Sequence, residues 1–363
     1  MDLEIVETIF KCGRTFGLTP TSSKNRNSNH FQKCLSFLTF ALYTAGVVTA
    51  SCISSATFSN FTLMQFVLMV LTVANLCIYN FYVLIVVMVF DEKRWFVLID
   101  SVKSVKTGPQ DKQYCWYLTT LVVSLLTLLL IIIIDCVAAL DYLGWVSAIM
   151  ILPAHFDKYA QYLYTISACL VLKMVLTRYQ HHANILAQLV NAPNGLDPKG
   201  ITEALKSFKQ TVLALKRSTE AFNDIFGWTM LCSIFSGAFR IIVYTEASLR
   251  HNFNFYVLKW QLLHFIHEIG FSVTLWVGLV AAILLCDQIL QQSDQILALA
   301  CKMQAFATNW NSQQYKQLQT FVEFLEHNRP KFSAARFFSI DRSLLLKILH
   351  AAITFLLVMI QID

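Results

Sequence analysis

The chain has 363 residues, of which 56% are hydrophobic and only 14% are charged. A soluble globular domain is about a quarter charged, so this composition excludes an ordinary soluble enzyme and indicates a membrane protein. The formal net charge of +6 lies in the segments between the apolar runs, where it follows membrane orientation and requires no nucleic-acid partner.

Two membrane spans are predicted near the start of the chain. The 57 residues between Lys33 and Asp91 include no Asp, Glu, Lys or Arg, and a spanning helix needs about 20 residues. This run therefore holds two helices, which we predict at 35–53 and 61–90. The segment before them has no apolar core, so no cleaved signal peptide is expected.

Five further spans follow, which predicts an all-α protein with seven transmembrane helices. They lie at 114–134, 159–172, 225–245, 264–286 and 343–361. The fourth is too short for a bilayer unless it begins near Ala154. These boundaries divide the chain into an N-terminal segment (1–34), spans one to four (35–172), a helical connection (173–224), spans five and six (225–286), a second helical connection (287–342) and the seventh span (343–363).

The distribution of lysine and arginine predicts the orientation of the spans. The connections on one side carry 23 of these residues and those on the other side carry 3, of which one is Lys158 in a predicted outer loop at 135–158. The positive side of a membrane protein is cytoplasmic, so we predict an N-terminus inside and a C-terminus outside. Asn60 begins a glycosylation sequon in the first outer connection, although such a triplet also occurs by chance.

Both long cytoplasmic connections have the periodicity of amphipathic helices. Apolar residues recur at steps of three and four at 201–215, 296–306 and 318–325, and residues 174–190 continue the fourth span. Each apolar stripe needs a surface that covers it. The stripes either pack on one another within one subunit or form an assembly domain between subunits, and both arrangements are consistent with the sequence.

Two charged residues interrupt the fifth and sixth spans. Arg240 lies 15 residues after Ile225, which is about 22 Å along the helix, and Glu268 lies near the outer end of the sixth span. Because the connection between these spans is short, we predict that Arg240 and Glu268 pair. Alternatively they have a purely structural role, as an ion pair or as side chains that extend to the headgroups.

An aromatic and polar face is predicted on the outer half of the sixth span. His264, His267 and Phe271 recur at spacings of three and four, and Tyr162 and Thr165 of the fourth span are expected at a similar depth. Aromatic rings with a few hydrogen-bonding groups suit a small organic ligand. These residues and the charged pair form the predicted ligand-binding set, and an interfacial aromatic belt is the alternative.

No catalytic or metal-binding motif accompanies this face. The stretch "HFIHEIG" at 264–270 lacks a second histidine at the spacing of a zinc protease, and the sequence has no Gly-rich phosphate loop or nucleophile elbow. We therefore expect no enzyme activity, no metal site and no cofactor.

The end of the chain resembles the C-terminal signature of insect gustatory receptors. In that family a Thr-Tyr pair, five apolar residues and a Gln-Phe pair close the seventh helix. The corresponding residues here are Thr354 and Phe355, the apolar run 356–360, and Gln361 and Ile362, so Phe replaces Tyr and Ile replaces Phe. Upstream, "FFSID" at 337–341 matches the family's Phe-x-Ile-Asp pattern.

The resemblance implies a ligand-gated, non-selective cation channel in the plasma membrane of sensory neurons. Four subunits, as a homotetramer or a heteromer with related receptor subunits, would surround a pore lined by the seventh helices, and cytoplasmic helices would tie them together. Thr354, Val358 and Gln361 share one face of that helix and Ile362 flanks it, so these are the expected pore and gate residues. In the sweet-taste branch an acidic residue tends to stand where this chain has Leu356, which favours a bitter or noxious small molecule over a sugar.

Other classes of membrane protein fit the sequence less well. A G-protein-coupled receptor would have its N-terminus outside, against the charge bias. An inverted seven-helix transporter usually has an internal repeat and broken helices, but no repeat is visible and the seventh helix is unbroken. A non-channel chemoreceptor subunit would have the same topology as a channel and differs from it only in carrying no current.

Overall fold

The computed structural model describes residues 11, 13–14, 18–19, 30–57, 63–105, 111–191, 198–250, 258–306 and 312–361. These residues are almost entirely helical. The elements are α1 (His30–Thr57), α2 (Leu63–Asn80) with a π-helical continuation (Phe81–Phe90), α3 (Lys93–Ser104), α4 (Asp111–Asn191), α5 (Pro198–Arg250), α6 (Leu258–Phe306), α7 (Ser312–His327), an antiparallel hairpin of β1 (Ser333–Ala334) and β2 (Phe338–Ser339), and α8 (Arg342–Gln361).

The predicted all-α, multi-span architecture is confirmed. A shorter apolar stretch, Leu125–Ile134, lies in the first part of α4, and α8 has the 20 residues that a span requires. These two stretches and the five listed in the next sentence follow the order of the seven predicted spans. Five helical stretches of the described residues are long and apolar enough to cross a membrane: His30–Cys52, Phe66–Phe90, Leu152–Asn191, Glu203–Val243 and Ile266–Ala305.

α4 corrects the prediction of an outer loop at 135–158. The chain stays helical through this region and bends at Gly144, whose φ of +77° is a conformation that glycine adopts without steric cost. The stretch that corresponds to the fourth predicted span begins at Leu152. The sequence required a start near Ala154, because the predicted span was too short to cross a bilayer, and the observed start agrees with this. Lys158 is therefore buried within a span and is not a loop residue.

The amphipathic segments are mostly extensions of the spanning helices. α4 continues to Asn191, α5 begins at Pro198 and α6 continues to Phe306, so only α7 is a separate helix. The rings of Phe208 and Phe321 meet edge to face at 6.5 Å, which joins α5 to α7. The apolar stripes are thus covered within one chain, as in the first of the two arrangements that the sequence left open. Their buried members are Leu205, Phe208, Val212, Leu215, Ile296, Met303, Leu318, Phe321, Val322 and Leu325.

An aromatic cluster joins α3, α4 and α5. α3, which was not predicted from the sequence, buries one apolar face that includes Trp95. The Trp95 ring lies edge-on to Tyr164 at 6.3 Å and to Phe226 at 5.4 Å, and the Tyr164 and Phe226 rings are 4.9 Å apart. Edge-to-face pairs of this kind add about 0.5–1.5 kcal/mol to the energy of burial, so the three helices are firmly packed here.

The hairpin before α8 is bound to α5 by both side-chain and backbone contacts. The side chain of Asn223 donates a hydrogen bond to the Lys331 carbonyl at 2.6 Å and accepts one from the Ser333 amide at 3.2 Å. A Cβ at Gly227 would lie 3.0 Å from both the Ser333 carbonyl oxygen and the Ala335 nitrogen. Only glycine lets the two backbones approach this closely, so α5 and the start of α8 are held together.

The "FFSID" stretch at 337–341 directly precedes α8. Ile340 is buried, and Asp341 caps the helix by accepting hydrogen bonds from the Ser343 amide at 2.9 Å and the Ser343 hydroxyl at 2.5 Å. Because these bonds favour the charged carboxylate, they hold the pKa of Asp341 below its usual range.

Candidate ligand-binding site

Two neighbouring faces of α4 carry the polar residues of the site. Lys158, Tyr162 and Thr165 follow one another at spacings of four and three, so they share one helical face, which we call the Lys158 face. Asp157 and Gln161 are four residues apart and form the adjacent Asp157 face. All five side chains are buried.

On the Lys158 face, one carboxylate binds two cations. Glu268 of α6 accepts a hydrogen bond from Lys158 through Oε1 and another from Arg240 of α5 through Oε2, the latter at 2.5 Å. The predicted Arg240–Glu268 pair is therefore present, and both side chains are buried instead of extending to the headgroups. His267 Nε2 lies 3.0 Å from Lys158 Nζ, and because an ammonium group only donates, Nε2 is the acceptor.

The ring of Phe271 packs against both cations. Its centroid is 6.0 Å from Lys158 Nζ and 5.1 Å from Arg240 Cζ, and the side chain is fully buried. Aromatic faces attract cations at this range. Thr165 also packs tightly, since a Cβ at Gly278 of α6 would lie 2.8 Å from its Cγ2. Phe271 and Thr165 thus hold the network and its helices together in this structure.

The Asp157 face is less completely hydrogen-bonded. Asp157 Oδ2 accepts a hydrogen bond from Gln161 Nε2 at 3.0 Å. Asp157 Oδ1 and Gln161 Oε1 have no hydrogen-bond partner in the described part of the chain, and each side chain is 1% exposed. The Asp157 carboxylate also interacts with the side-chain amide of Asn80 in α2 and with the charges of Arg240 and Lys158, so this face meets α2.

The structure brings together four members of the predicted ligand-binding set around Lys158, namely Arg240, His267, Glu268 and Phe271. Thr165 is buried on the Lys158 face beside them. Tyr162 is buried on the Lys158 face, and Thr354 of the predicted pore is exposed on α8. The side chains of three other predicted residues lie outside what the structure describes, namely His264, Val358 and Gln361. Two further predicted residues lie entirely outside it, namely Asn60 and Ile362.

Four polar residues of α4 were not predicted as site residues. His155, Asp157, Lys158 and Gln161 lie within "HFDKYAQY" at 155–162, which was assigned to the end of a loop and the start of a short span. The rings of His155 and His267 are edge to face at 5.2 Å. Spacings of three and four within this stretch were a signal of a polar helical face, but the assumed loop concealed it.

A family model for 7tm chemosensory receptors matches residues 6–363. The chain belongs to this receptor family. The resemblance to insect chemoreceptors is thereby confirmed, and the family is one of receptors, not of enzymes. A search of curated proteins finds no match for this receptor.

Solved structures share the fold of this receptor. The insect olfactory receptor OR5 from Machilis hrabei superposes with a TM-score of 0.67 at 12% sequence identity, covering 99% of this chain and 98% of that chain. The same olfactory receptor in complex with eugenol has a TM-score of 0.63 at 11% identity, with the same coverage. The receptor described here is therefore a multi-pass membrane protein with the insect olfactory receptor fold along its whole length.

Proposed function

We propose that this receptor is a gustatory subunit of a ligand-gated, non-selective cation channel in the plasma membrane of sensory neurons. The observation that carries the proposal is the exposure of α8. Leu346, Leu349, Ile353 and Leu357 form an exposed apolar stripe with Thr354 beside it. In a membrane, lipid covers part of such a stripe, and neighbouring α8 helices around a central pore would cover the part beside Thr354.

Four copies of the chain, or this chain with related subunits, would complete such a pore. Thr354, Val358 and Gln361 would then line it and Ile362 would flank it, with the Gln361 amides as a weak cation site and Val358 as an apolar gate. Because the cytoplasmic stripes are covered within the subunit, assembly through those helices would use their outward faces. The charge bias supports an N-terminus inside and a C-terminus outside.

The buried polar cluster of α4, α5 and α6 supports a ligand site in each subunit. A similar receptor was solved with eugenol, a small organic molecule, and we propose a small-molecule tastant here. Arg240, His264, His267, Glu268 and Phe271, together with Tyr162 and Thr165, form the proposed site. Leu356, in α8, stands where the sweet-taste branch tends to have an acidic residue, and this favours a bitter or noxious compound over a sugar.

Recording whole-cell current in cells that express this chain alone tests the proposal. A panel of bitter compounds and sugars should open a cation current that reverses near 0 mV, with bitter compounds the more effective class. Uptake of substrate without such a current would favour a transporter, and ligand binding without current would indicate a non-channel subunit. An epitope after Asp363 should stain intact cells, and staining only after permeabilisation would contradict the proposed orientation.

A further inference from the structure

The polar residues of α8 form one narrow stripe, which we call the polar stripe. Between residues 343 and 361 the sequence has five polar side chains, and every other residue is apolar. Because an α-helix turns about 100° per residue, their spacings place all five within an arc of about 60°. The polar stripe consists of Ser343, Lys347, His350, Thr354 and Gln361. It lies beside the exposed apolar stripe of the same helix.

The polar stripe is not covered by the rest of the chain over its inner part. Ser343, Lys347, His350 and Thr354 are all exposed. The side chains of Lys347 and His350 make no ion pair or hydrogen bond within the part of the chain that the structure describes. Ionisable groups in a spanning helix are costly in lipid and face a bundle interior or a water-filled cavity. The polar stripe is therefore the side of α8 that suits a pore.

Four copies of α8 around one axis would turn the polar stripe into stacked rings. In the proposed orientation Gln361 is at the outer end, and Lys347 precedes it by 14 residues, which places its ring about 21 Å further in. A lysine at this position could instead extend to the inner headgroups. His350 lies one turn deeper on the same stripe and has a shorter side chain, so a pore accounts for both residues and headgroup contact accounts for only one.

Lys347 is the charged member of the polar stripe, and its sign opposes cation conduction. Cation channels use rings of Asp or Glu, whereas rings of Lys or Arg suit anions. Other charges at the start of α8 are already bound, since Arg342 pairs with Asp287 at 2.6 Å and Asp341 accepts hydrogen bonds from Ser343. Four ammonium groups at the inner entrance would raise the local potential and lower the local concentration of cations.

We propose that four Lys347 side chains form a cationic ring at the inner end of the pore, and that this ring makes inward cation current exceed outward current. Cations that leave the cell must collect at the ring before they enter the pore, whereas cations that enter the cell meet it last. The inference rests on the proposed function, because it assigns a conduction property to the same pore. Such a channel depolarises a neuron while limiting the loss of potassium.

Currents in excised inside-out patches test the ring, with sodium chloride as the only salt on both faces. Magnesium and polyamines are omitted, so that block by these cations cannot imitate rectification. A Val358→Ser background replaces the proposed apolar gate by a polar ring, so that the pore conducts without a tastant. Inward current should exceed outward current about threefold at equal and opposite voltages, since a potential of about one kT changes the local ion concentration by that factor.

Charge variants in this background identify the residue responsible. Lys347→Gln should make the current nearly linear, Lys347→Glu should reverse the rectification, and Lys347→Arg should retain it. Lys103→Glu makes the same change of charge at an exposed position of α3 and should rectify as the background does.

A salt series tests the ring without any change at Lys347, and it decides the matter if the Lys347 variants fail to fold. Raising sodium chloride on both faces from about 0.05 M to about 1 M shortens the Debye length to about 3 Å, which should remove most of the rectification.

The outcomes separate this inference from the channel proposal. Linear current at low salt, rectification that survives Lys347→Glu or high salt, or an equal effect of Lys103→Glu would overturn the cationic ring and leave the channel intact. The absence of current both in the Val358→Ser background and in the parent with the panel of bitter compounds and sugars would contradict the channel, and the cationic ring with it.

Discussion

The Lys158 face and the Asp157 face of α4 begin one residue apart but differ in how their carboxylates are compensated. Glu268 has a cation at each oxygen and joins α4, α5 and α6. Asp157 makes no direct ion pair in the described part of the chain, and it interacts instead with the side-chain amides of Gln161 and Asn80. Direct ion pairs therefore hold Glu268 in place, whereas neutral amides hold Asp157.

The strongest test of this comparison removes the charge of Glu268. Glu268→Gln removes the carboxylate that Lys158 and Arg240 contact directly, and losing one partner of a buried ion pair costs about 3–5 kcal/mol. We expect a large loss of monodisperse receptor and of its melting temperature, measured by size-exclusion chromatography and thermal unfolding. Glu323→Gln, at an exposed position of α7, is the matched control and should resemble the parent.

A double variant sharpens the same comparison. Glu268→Gln combined with Lys158→Met removes one stranded cation, so part of the lost stability should return. If Glu268→Gln alone were as stable as the Glu323→Gln control, the network would not be the rigid framework of the site.

The next prediction concerns the backbone contact between α5 and the hairpin, where no charge is involved. Gly227→Ala should destabilise the receptor by about 1–3 kcal/mol, because overpacking of a close contact forces the backbone to shift. Gly270→Ala is a matched control on α6, where the nearest atom to an added Cβ is 3.9 Å away. Equal melting temperatures for both variants would contradict the described contact.

The smallest effect is expected at Asp341, an accessible carboxylate whose hydrogen bonds are all local. Asp341→Ala should cost about 0.5–2 kcal/mol, as for other N-caps. Because the pKa of Asp341 is lowered in the folded state, its contribution is present above the unfolded pKa and is lost as the pH falls through the folded one. Asp341→Asn should keep the cap and remove this pH dependence, which thermal unfolding between neutral and acidic pH would measure.

The sequence predicted those parts of the fold that hydrophobic periodicity controls. The seven predicted spans follow from long runs without charged residues, and the stripes of α5, α6 and α7 follow from apolar residues at steps of three and four. The start of the fourth span was less predictable, because Asp157 and Lys158 are charged and charges usually mark connections. Their burial depends on partners in other helices, such as Glu268 for Lys158, and no local pattern specifies a partner 110 residues away.

The candidate site was predicted only in part for the same reason. Arg240, Glu268, His267 and Phe271 were identified by depth and helical spacing, and they do meet in the structure. The Asp157 face depends on which side of α4 meets α1 and α2. That rotation is consistent with the packing of Tyr164 against Phe226 of α5 and Trp95 of α3, which becomes apparent only in three dimensions.

The central claim is that this chain forms a cation channel whose pore is lined by α8, and ion permeability of Gln361 variants tests it most directly. Whole-cell reversal potentials are measured with sodium, calcium and chloride varied in turn, for the parent, Gln361→Glu and Gln361→Lys, with surface expression measured in parallel. We expect Gln361→Glu to raise calcium permeability or calcium block and Gln361→Lys to depress cation current, because a ring of four like charges would act directly on the passing ion. Identical reversal potentials and calcium sensitivity in all three, at equal surface expression, would contradict a pore lined by α8.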